Sequence, residues 1–402
     1  MDPSFVPFHR PSIGNAEIQE VVRALMSGWL TTGPRTAQFE REFSEYVKAP
    51  HALAVNSGTA ALHLALAALE IGPGDEVITT PLTFCATVNT ILQVGATPVL
   101  ADINEHGNID SASILGRINE RTRALLPVHL AGLPCEMDTI WDIARVHRLK
   151  VVEDAAHAVS AMYKGWPIGG GNPTAGLASD AVAFSFYATK NLTTGEGGMV
   201  TTHDSDLVAK MRVLCLHGIS SDAWNRYSEK GKWFYEVVDC GFKYNLSDLQ
   251  SAIGIHQLRR QEELLEKRSG VAQLYQSELS EVDELELPSE RPDSRHAWHL
   301  FIIRLRLNEL AVGRDEVIRE LRGMGIGTSV HFIPIPLHSG YARYPTLKKE
   351  NCPAAMSFYR RIISLPIYPD ITEDEIQRVV RALKHVIKTS RKHPMVKVGG
   401  TV

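Results

Sequence analysis

The sequence predicts an α/β protein with a large domain, built on a mostly parallel mixed sheet flanked by helices, and a smaller C-terminal α/β domain. The chain has 402 residues, about 2.7 times an average domain of roughly 150, so two or three structural units are expected. Short apolar strands alternate with helical segments between residues 51 and 202, which is typical of parallel strands with helices on both faces. The pattern changes after residue 260, where we place the domain boundary.

Two kinds of periodicity define the elements of the large domain. Helices are predicted where apolar residues recur every three or four positions, and strands where a short run is almost entirely apolar. The predicted helices are Glu17–Gly28, Ala37–Val47, Ala60–Glu70, Phe84–Val94, Ser111–Ile118, Met137–His147 and Asp206–Cys215. The predicted strands are His51–Val55, Glu76–Thr80, Thr97–Asp102, Thr122–Val128, Lys150–Glu153, Asp180–Phe186 and Gly198–Thr202.

A long helical stretch, Ser247–Gln276, is expected to join the two domains. We expect it to bend at Gly254 or Gly270, and its charged part from Arg259 onward to be solvated. The elements predicted beyond it are a strand at His299–Leu307, a helix at Arg314–Met324, a strand at Thr328–Phe332 and a helix at Glu373–Thr389. The domains are then residues 1–260 and 261–390, with an N-terminal segment able to pack on the small domain and a flexible tail at 391–402.

Composition and charge exclude several classes of protein. Hydrophobic residues make up 44% of the chain and charged residues 22%, which is ordinary for a globular protein and argues against disorder. A net charge of −4 gives no electrostatic reason to expect nucleic-acid binding. Neither a signal peptide nor a membrane span is predicted. The five cysteines lack metal-ligand spacing, so we expect no metal site, and reduced thiols in a cytoplasmic protein.

Ligands of open α/β sheets bind beyond the carboxyl ends of the strands, and polar residues follow several of the predicted strands. The turn Ser57-Gly58-Thr59 offers backbone N–H groups and hydroxyls to an anion at a helix N-terminus, although an ordinary helix cap has the same composition. Asp154 and His157 follow another strand. A half-buried acid there needs a partner such as a protonated ring nitrogen, although a capping aspartate is equally compatible.

Two further residues complete the set. Lys190 follows the apolar strand that ends at Phe186 and precedes a glycine-rich segment, where desolvation favours a neutral, nucleophilic amine able to form a Schiff base. Phe84 follows a different strand and can lie flat on a planar ring, although a core aromatic residue at a helix start fits as well. Together these residues match the needs of a pyridoxal phosphate site.

The motifs around these residues resemble those of the DegT/DnrJ/StrS family of pyridoxal-phosphate sugar aminotransferases, from about Pro7 to about Leu383. The shared stretches are Ser27-Gly28-Trp29 with Gly33-Pro34, residues 57–62, 72–78, 153–157, 185–186, 189–191, 195–198, 241–246, 296–301 and 325–328 with His331. The resemblance implies the aspartate-aminotransferase fold type I. It also implies pyridoxal 5′-phosphate as cofactor, with pyridoxamine 5′-phosphate as the intermediate form.

The resemblance further implies catalytic and ring-binding roles for four residues. Lys190 holds the cofactor covalently and moves a proton during transamination, and Asp154 pairs with the ring nitrogen. Phe84 stacks on the ring, and His157 lies near its O3′ side. These roles describe the family and are carried to the matching positions of this chain.

For the phosphate, the resemblance implies contacts from Ser57, Gly58, Thr59 and Ser185. It also implies that Asn245 reaches the phosphate of the neighbouring subunit's cofactor, so that a homodimer shares its active sites. No nucleic acid is expected among the partners.

The expected reaction is a ping-pong transfer of an amino group from L-glutamate, which leaves as 2-oxoglutarate, to a nucleotide-linked keto-sugar, foremost a UDP-4-keto-sugar of polysaccharide or lipopolysaccharide biosynthesis. Sugar contacts are expected on loops, with candidates at Trp29, Thr31, His331, His338 and the segment Ser220–Trp233. Arg226 and Arg343 are candidates for the donor carboxylate.

Three alternatives remain open at the level of sequence. A pyridoxamine-dependent sugar deoxygenase of the same family has histidine where Lys190 stands. A lyase that acts on sulfur amino acids would match less of the chain. A non-catalytic sensor or binding protein that keeps the fold is expected to lose Lys190 or Asp154, and both residues are present.

Overall fold

The structure is a computed structural model that describes residues 5–172, 176–220 and 235–392. Its helices are α1 Asn15–Met26, α2 Pro34–Val47, α3 Gly58–Ala68, α4 Cys85–Gln93, α5 Ser111–Leu115, α6 Met137–His147, α7 Ser205–Cys215, α8 Asp248–Arg259, α9 Gln261–Leu279, α10 Arg314–Gly323, α11 Pro353–Tyr359 and α12 Glu373–Thr389. Its strands are β1 His51–Val55, β2 Glu76–Thr79, β3 Thr97–Leu100, β4 Thr122–Leu126, β5 Lys150–Asp154, β6 Met162–Tyr163, β7 Trp166–Pro167, β8 Ala181–Ser185, β9 Gly198–Thr202, β10 Leu285–Glu286, β11 Ser294–Arg295, β12 Phe301–Leu305 and β13 Ile362–Leu365.

The main sheet has seven strands in the order β1-β9-β8-β5-β4-β2-β3. Only β9 among them runs against its neighbours, so β1, β2, β3, β4, β5 and β8 end at the same edge. Consecutive strand residues enter separate apolar cores on the two faces, as Val151 and Val152 of β5 do. Burial on both faces is the reason why these strands read as continuous apolar runs.

A further apolar core lies in the C-terminal part of the chain. The antiparallel sheet β10-β12-β13 packs with α9, α10 and α12 around residues such as Phe301, Val317 and Leu383. Val6 of the N-terminal segment belongs to this core, and its N–H donates to the carbonyl of Gly325 at 2.8 Å. The division of the chain at residue 260 remains a prediction.

The long helix differs from its prediction. It consists of α8 and α9, separated at Arg260 (φ −98°, ψ 3°), rather than one helix bent at a glycine. Gly254 instead permits close packing, since a Cβ there would lie 2.7 Å from Cζ of Phe39. The charged part of α9 is only partly solvated, because Gln261 and Arg268 are buried on its inner face.

The predicted strand Thr328–Phe332 is a loop that keeps one bridge, between Ser329 and Ser364 of β13. The sequence prediction did not include β13 or α11, which are both short. The segment 221–234 and the tail from 393 lie outside the described residues. In the part that the structure describes, no helix is long and apolar enough to cross a membrane, and no cluster of side chains could hold a metal ion.

Candidate active site

The candidate residues gather at the edge where β1, β5 and β8 end. Asp154 is the last residue of β5, Ser185 is the last residue of β8, and Ser57 follows the end of β1 by two positions. Because β5 and β8 are neighbouring parallel strands, the residues that follow them face one space beyond the sheet.

Asp154 is a buried acid held by two hydrogen bonds. The hydroxyl of Thr87 donates to its Oδ2 at 2.8 Å, and the N–H of Ala156 donates to its Oδ1 at 3.2 Å. Burial raises the pKa of Asp154, while these bonds and the positive charges of Lys190 and His129 act in the opposite direction. A further cationic partner would therefore stabilise the ionised form of this carboxyl group.

Lys190 lies in the turn after β8, where its backbone N–H donates to the carbonyl of Tyr187 at 2.8 Å. Desolvation lowers the pKa of its amine to about 8, and only the charge of Asp154 opposes this shift. At pH 7 about a tenth of such an amine is neutral, which is far more than for a lysine on the surface. The neutral form is the nucleophile that Schiff-base chemistry requires.

His157 belongs to a group of neutral imidazoles close to Lys190. Its Nδ1 accepts the N–H of Ala131 at 3.3 Å, so the ring proton is on Nε2. Burial and the charge of Lys190 keep the pKa of His157 well below its ordinary value. His299 lies against it, with 4.3 Å between ring centroids, and its Nδ1 is 3.1 Å from Oδ1 of Asn191.

An aromatic series connects Phe84 with this group. Phe84 precedes α4 and is 59% exposed, so one face of its ring is open. Its centroid lies 6.1 Å from that of Phe332, which in turn stacks on His157 at 5.7 Å. Phe84 is therefore connected to His157 through the ring of Phe332.

The predicted phosphate turn has the geometry of an anion site. Ser57 caps α3 by accepting the N–H of Ala60 at 3.0 Å, and the N–H groups of Gly58 and Thr59 have no acceptor within the helix. The turn approaches the end of β8 closely, since a Cβ on Gly58 would lie 2.7 Å from Cβ of Ser185. Only glycine allows this approach.

Asn245 lies beside the end of β1, where it forms an isolated bridge with Val55. Its Nδ2 donates to Oγ1 of Thr32 at 2.7 Å, and Lys243 donates to its Oδ1. Both ends of the amide are thus engaged within the same chain. The contact predicted with a partner subunit remains a prediction.

The four candidates for sugar binding fall into two places. Trp29 and Thr31 lie between α1 and α2, and the carbonyl of Thr31 accepts the N–H of Asp248, so their loop is tied to the start of α8. His331 lies close enough to His157 and Lys190 for their charges to interact. Burial together with the charge of Lys190 lowers the pKa of His331 to about 4. His338 packs edge-on against Tyr341, farther along the same loop. Arg226 lies outside the described residues.

Sequence reasoning missed several residues of the site. Thr87 follows Phe84 by three positions on α4, and this helical spacing was an available signal. Phe332 lies next to His331 but in a segment predicted as a strand. His299 and Asn191 lie in the family motifs 296–301 and 189–191, but no local pattern predicts their contact across 108 residues.

The donor and acceptor set fits pyridoxal phosphate. A buried acid at the end of β5 needs a cationic partner, and a pyridinium nitrogen would supply one. The amine of Lys190 is partly neutral, as attack on an aldehyde requires. The first turn of α3 presents unpaired N–H groups for a phosphate. This combination on a mostly parallel sheet is typical of pyridoxal-phosphate enzymes of fold type I.

Comparison with known proteins identifies the family. The family model for the DegT/DnrJ/EryC1/StrS aminotransferases matches residues 11–384, and the chain belongs to this family. The spore coat polysaccharide biosynthesis protein SpsC of Bacillus subtilis is 49% identical over 386 residues, which cover 96% of this chain and 97% of that protein. The predicted family and the predicted fold type I are both confirmed.

Solved structures agree over nearly the whole chain. Spr1654 from Streptococcus pneumoniae, described as a sugar aminotransferase, has a TM-score of 0.89 in its PMP-form at 33% identity, covering 96% of this chain and 99% of that one. PseC of Helicobacter pylori, an aminotransferase involved in pseudoaminic acid biosynthesis, has a TM-score of 0.86 at 29% identity, with the same coverage. Family membership and the PLP- and PMP-forms of Spr1654 support pyridoxal 5′-phosphate as the cofactor, with pyridoxamine 5′-phosphate as its intermediate form.

Proposed function

We propose that the protein is a pyridoxal-phosphate-dependent aminotransferase that moves an amino group from L-glutamate to a nucleotide-linked keto-sugar, foremost a UDP-4-keto-sugar, by a ping-pong mechanism. The observation that carries the proposal is the placement of Asp154 and Lys190 beyond the neighbouring strands β5 and β8, where both are buried and each charge acts on the other. The proposal is supported by the name of SpsC, which points to polysaccharide biosynthesis, and by the sugar aminotransferases among the structural neighbours.

Lys190 is the residue that moves the proton. When bound, the cofactor would supply an acceptor for the amino group and an electron sink for the pair released at the substrate carbon. The neutral amine of Lys190 would remove a proton from that carbon and return it on the other side of the transferred nitrogen. A pKa of about 8 suits both directions, because it lies close to neutral pH.

Asp154 would keep the ring nitrogen of the bound cofactor protonated. Its carboxylate would accept a hydrogen bond from a protonated ring nitrogen, and that cation would offset the cost of burying the acid. A hydrogen bond to a charged group contributes about 1.5–3 kcal/mol. The Nε2 proton of His157 would be available to the oxygen substituent of the ring, because its Nδ1 already accepts the N–H of Ala131.

The remaining residues hold the cofactor in place. The hydroxyls of Ser57, Thr59 and Ser185 and the N–H groups at the start of α3 would bind the phosphate, and Gly58 allows this turn to approach Ser185 closely. Phe84 covers one face of the ring with its exposed side.

A homodimer with shared active sites completes the proposal. Two aromatic side chains of the site are open in the single chain: Phe84 is 59% exposed, and Tyr187, whose carbonyl accepts the N–H of Lys190, is 47% exposed. Exposed apolar surface of this kind is typical of an interaction site, and a second copy that also brings Asn245 would cover it. Trp29, Thr31, His331 and His338 are the proposed sugar contacts. We place the enzyme in the cytoplasm, in line with five unpaired cysteines.

An absorbance spectrum, recorded before and after addition of L-glutamate, tests the proposal. The long-wavelength band of lysine-bound cofactor should appear with pyridoxal phosphate and disappear with L-glutamate. Absence of the band would contradict the role of Lys190 and favour a non-catalytic protein. A band that L-glutamate leaves unchanged would contradict the donor and favour a different donor or a lyase. UDP-linked 4-keto-sugars are then screened as acceptors.

A further inference from the structure

Two buried threonine hydroxyls stand in line behind Asp154. Oγ1 of Thr87 donates to Oδ2 of Asp154 at 2.8 Å, and Oγ1 of Thr83 lies 2.7 Å from Oγ1 of Thr87. The exposed fractions of Thr83 and Thr87 are 2% and 0%. Both residues come from the segment that begins α4, whereas Asp154 ends β5, so the contact joins two elements that are distant in sequence.

The direction of both hydrogen bonds follows from the number of protons. A hydroxyl carries one proton, and an ionised carboxylate can only accept. Because the proton of Thr87 is directed at Asp154, Thr83 must donate its proton to Thr87. Successive hydrogen bonds of this kind polarise one another, so the outer hydroxyl strengthens the inner bond.

A neighbouring residue shows what an ordinary threonine does in this helix. Thr90 is also fully buried on α4, and its hydroxyl donates to the backbone carbonyl of Thr87 at 3.1 Å. Such local bonding to the preceding turn is the usual way to satisfy a helical threonine. The hydroxyls of Thr83 and Thr87 instead run through side chains to a carboxylate on another element.

The relay acts on an acid whose pKa is raised by burial. The groups that face Asp154 are the Thr87 hydroxyl, the N–H of Ala156, and the positive charges of Lys190 and His129; all four favour the ionised carboxylate. Thr87 and Ala156 each occupy one carboxylate oxygen, and each oxygen keeps a further acceptor position. The carboxylate is thus fixed in orientation while it remains able to accept another hydrogen bond.

We propose that Thr83 and Thr87 form a hydroxyl relay that positions the Asp154 carboxylate and holds it ionised for the ring nitrogen of the cofactor. The proposal rests on the function proposed above, in which Asp154 pairs with that nitrogen. Thr83 and Thr87 are positioning residues, because they act through Asp154. Without the relay, Asp154 takes up a proton at higher pH, and protonated Asp154 no longer favours a charged ring nitrogen. The loss of cofactor affinity on the acid side of the pH profile, the acid limb, therefore moves to higher pH.

The test measures the dissociation constant of pyridoxal phosphate by fluorescence titration of the full-length protein from pH 5 to pH 9. Thr87→Val keeps the shape of the side chain and removes the hydroxyl, so we expect binding at pH 7 to weaken roughly tenfold or more, with the acid limb shifted upward. Thr83→Val should cause a smaller shift in the same direction. Thr87→Ser restores the hydroxyl and should bind as the wild type does.

Thr90→Val is the matched control, because it removes a buried hydroxyl from the same helix without touching Asp154. An equal shift in Thr90→Val, or equal weakening in Thr87→Ser and Thr87→Val, would overturn the relay and leave only a packing effect. Thr83→Val and Thr87→Ser keep the test decisive should Thr87→Val not fold. Asp154→Asn separates the two proposals. If this variant binds pyridoxal phosphate as the wild type does, the role of Asp154 itself is wrong. If it binds weakly while Thr87→Val binds normally, only the relay is refuted.

Discussion

Replacing Lys190 with methionine should stabilise the cofactor-free protein at neutral pH. Burial lowers the pKa of this amine from 10.5 to about 8, so the folded state binds the proton less tightly than the unfolded chain does. One pKa unit corresponds to about 1.36 kcal/mol, so the charged amine costs roughly 3 kcal/mol of folding free energy at pH 7. Methionine has a similar length and no charge to desolvate.

The pH dependence gives the prediction its sign. A base whose pKa is lower in the folded state than in the unfolded chain lowers the folding stability. The full penalty applies at pH values below the folded-state pKa, here about 8. The penalty then fades as the pH rises towards 10.5, where the unfolded chain also releases its proton. The advantage of Lys190→Met should therefore be largest at pH 7 and fall to roughly half by pH 9.5. In Lys190→Met, Asp154 loses the favourable charge of Lys190. The resulting cost in folding free energy is limited, because Asp154 can take up a proton when the cation is absent.

Urea unfolding of the cofactor-free wild type and of Lys190→Met at pH 7 and pH 9.5 measures this difference. Lys210→Met is the control, since Lys210 is paired on the surface with the exposed Glu70 and should change stability by no more than about 0.5 kcal/mol. A Lys190→Met variant that is no more stable than the wild type at pH 7, or whose advantage does not depend on pH, would refute the burial argument.

Further predictions concern the chemistry and the packing. Lys190→Ala should abolish transamination, because it removes the amine that is proposed to move the proton, and turnover like that of the wild type would disprove the assignment. Asp154→Asn should weaken pyridoxal phosphate binding by roughly tenfold or more, measured by titration of the apoprotein. Gly254→Ala should lower the free energy of unfolding by about 1–3 kcal/mol, because its Cβ would lie 2.7 Å from Cζ of Phe39. Gly270→Ala, where a Cβ meets nothing within 4 Å, should instead raise it by about 0.5–1 kcal/mol, and equal effects of the two glycine variants in urea unfolding would contradict the packing argument.

Local patterns were enough to predict most of the large domain. The strands His51–Val55 and Gly198–Thr202 and the helix Met137–His147 have the predicted bounds, because their apolar periodicity ends where the elements end. The family and fold type were also accessible, since motifs such as residues 153–157 and 195–198 lie in unbroken segments of the chain.

Elements that depend on distant contacts were harder to predict. A glycine was expected to bend the long helix, yet Gly254 serves the approach of α8 to Phe39 and the break falls at Arg260. Thr328–Phe332 has strand-like composition, but only Ser329 finds a pairing partner. Such outcomes depend on which neighbour is present, and periodicity does not contain that information.

The sequence by itself determined the order along the chain of the seven main-sheet strands and of α1–α7, the family, and the residue types available for the chemistry, because these depend on local runs and short motifs. Only the tertiary structure decided how those residues act on one another. The meeting of β5 and β8 places Asp154 and Lys190 together, and burial there shifts both pKa values. The contact of α4 with the end of β5 turns Thr87 towards Asp154. Desolvation and hydrogen bonding depend on neighbours in space, and the fold alone supplies those neighbours.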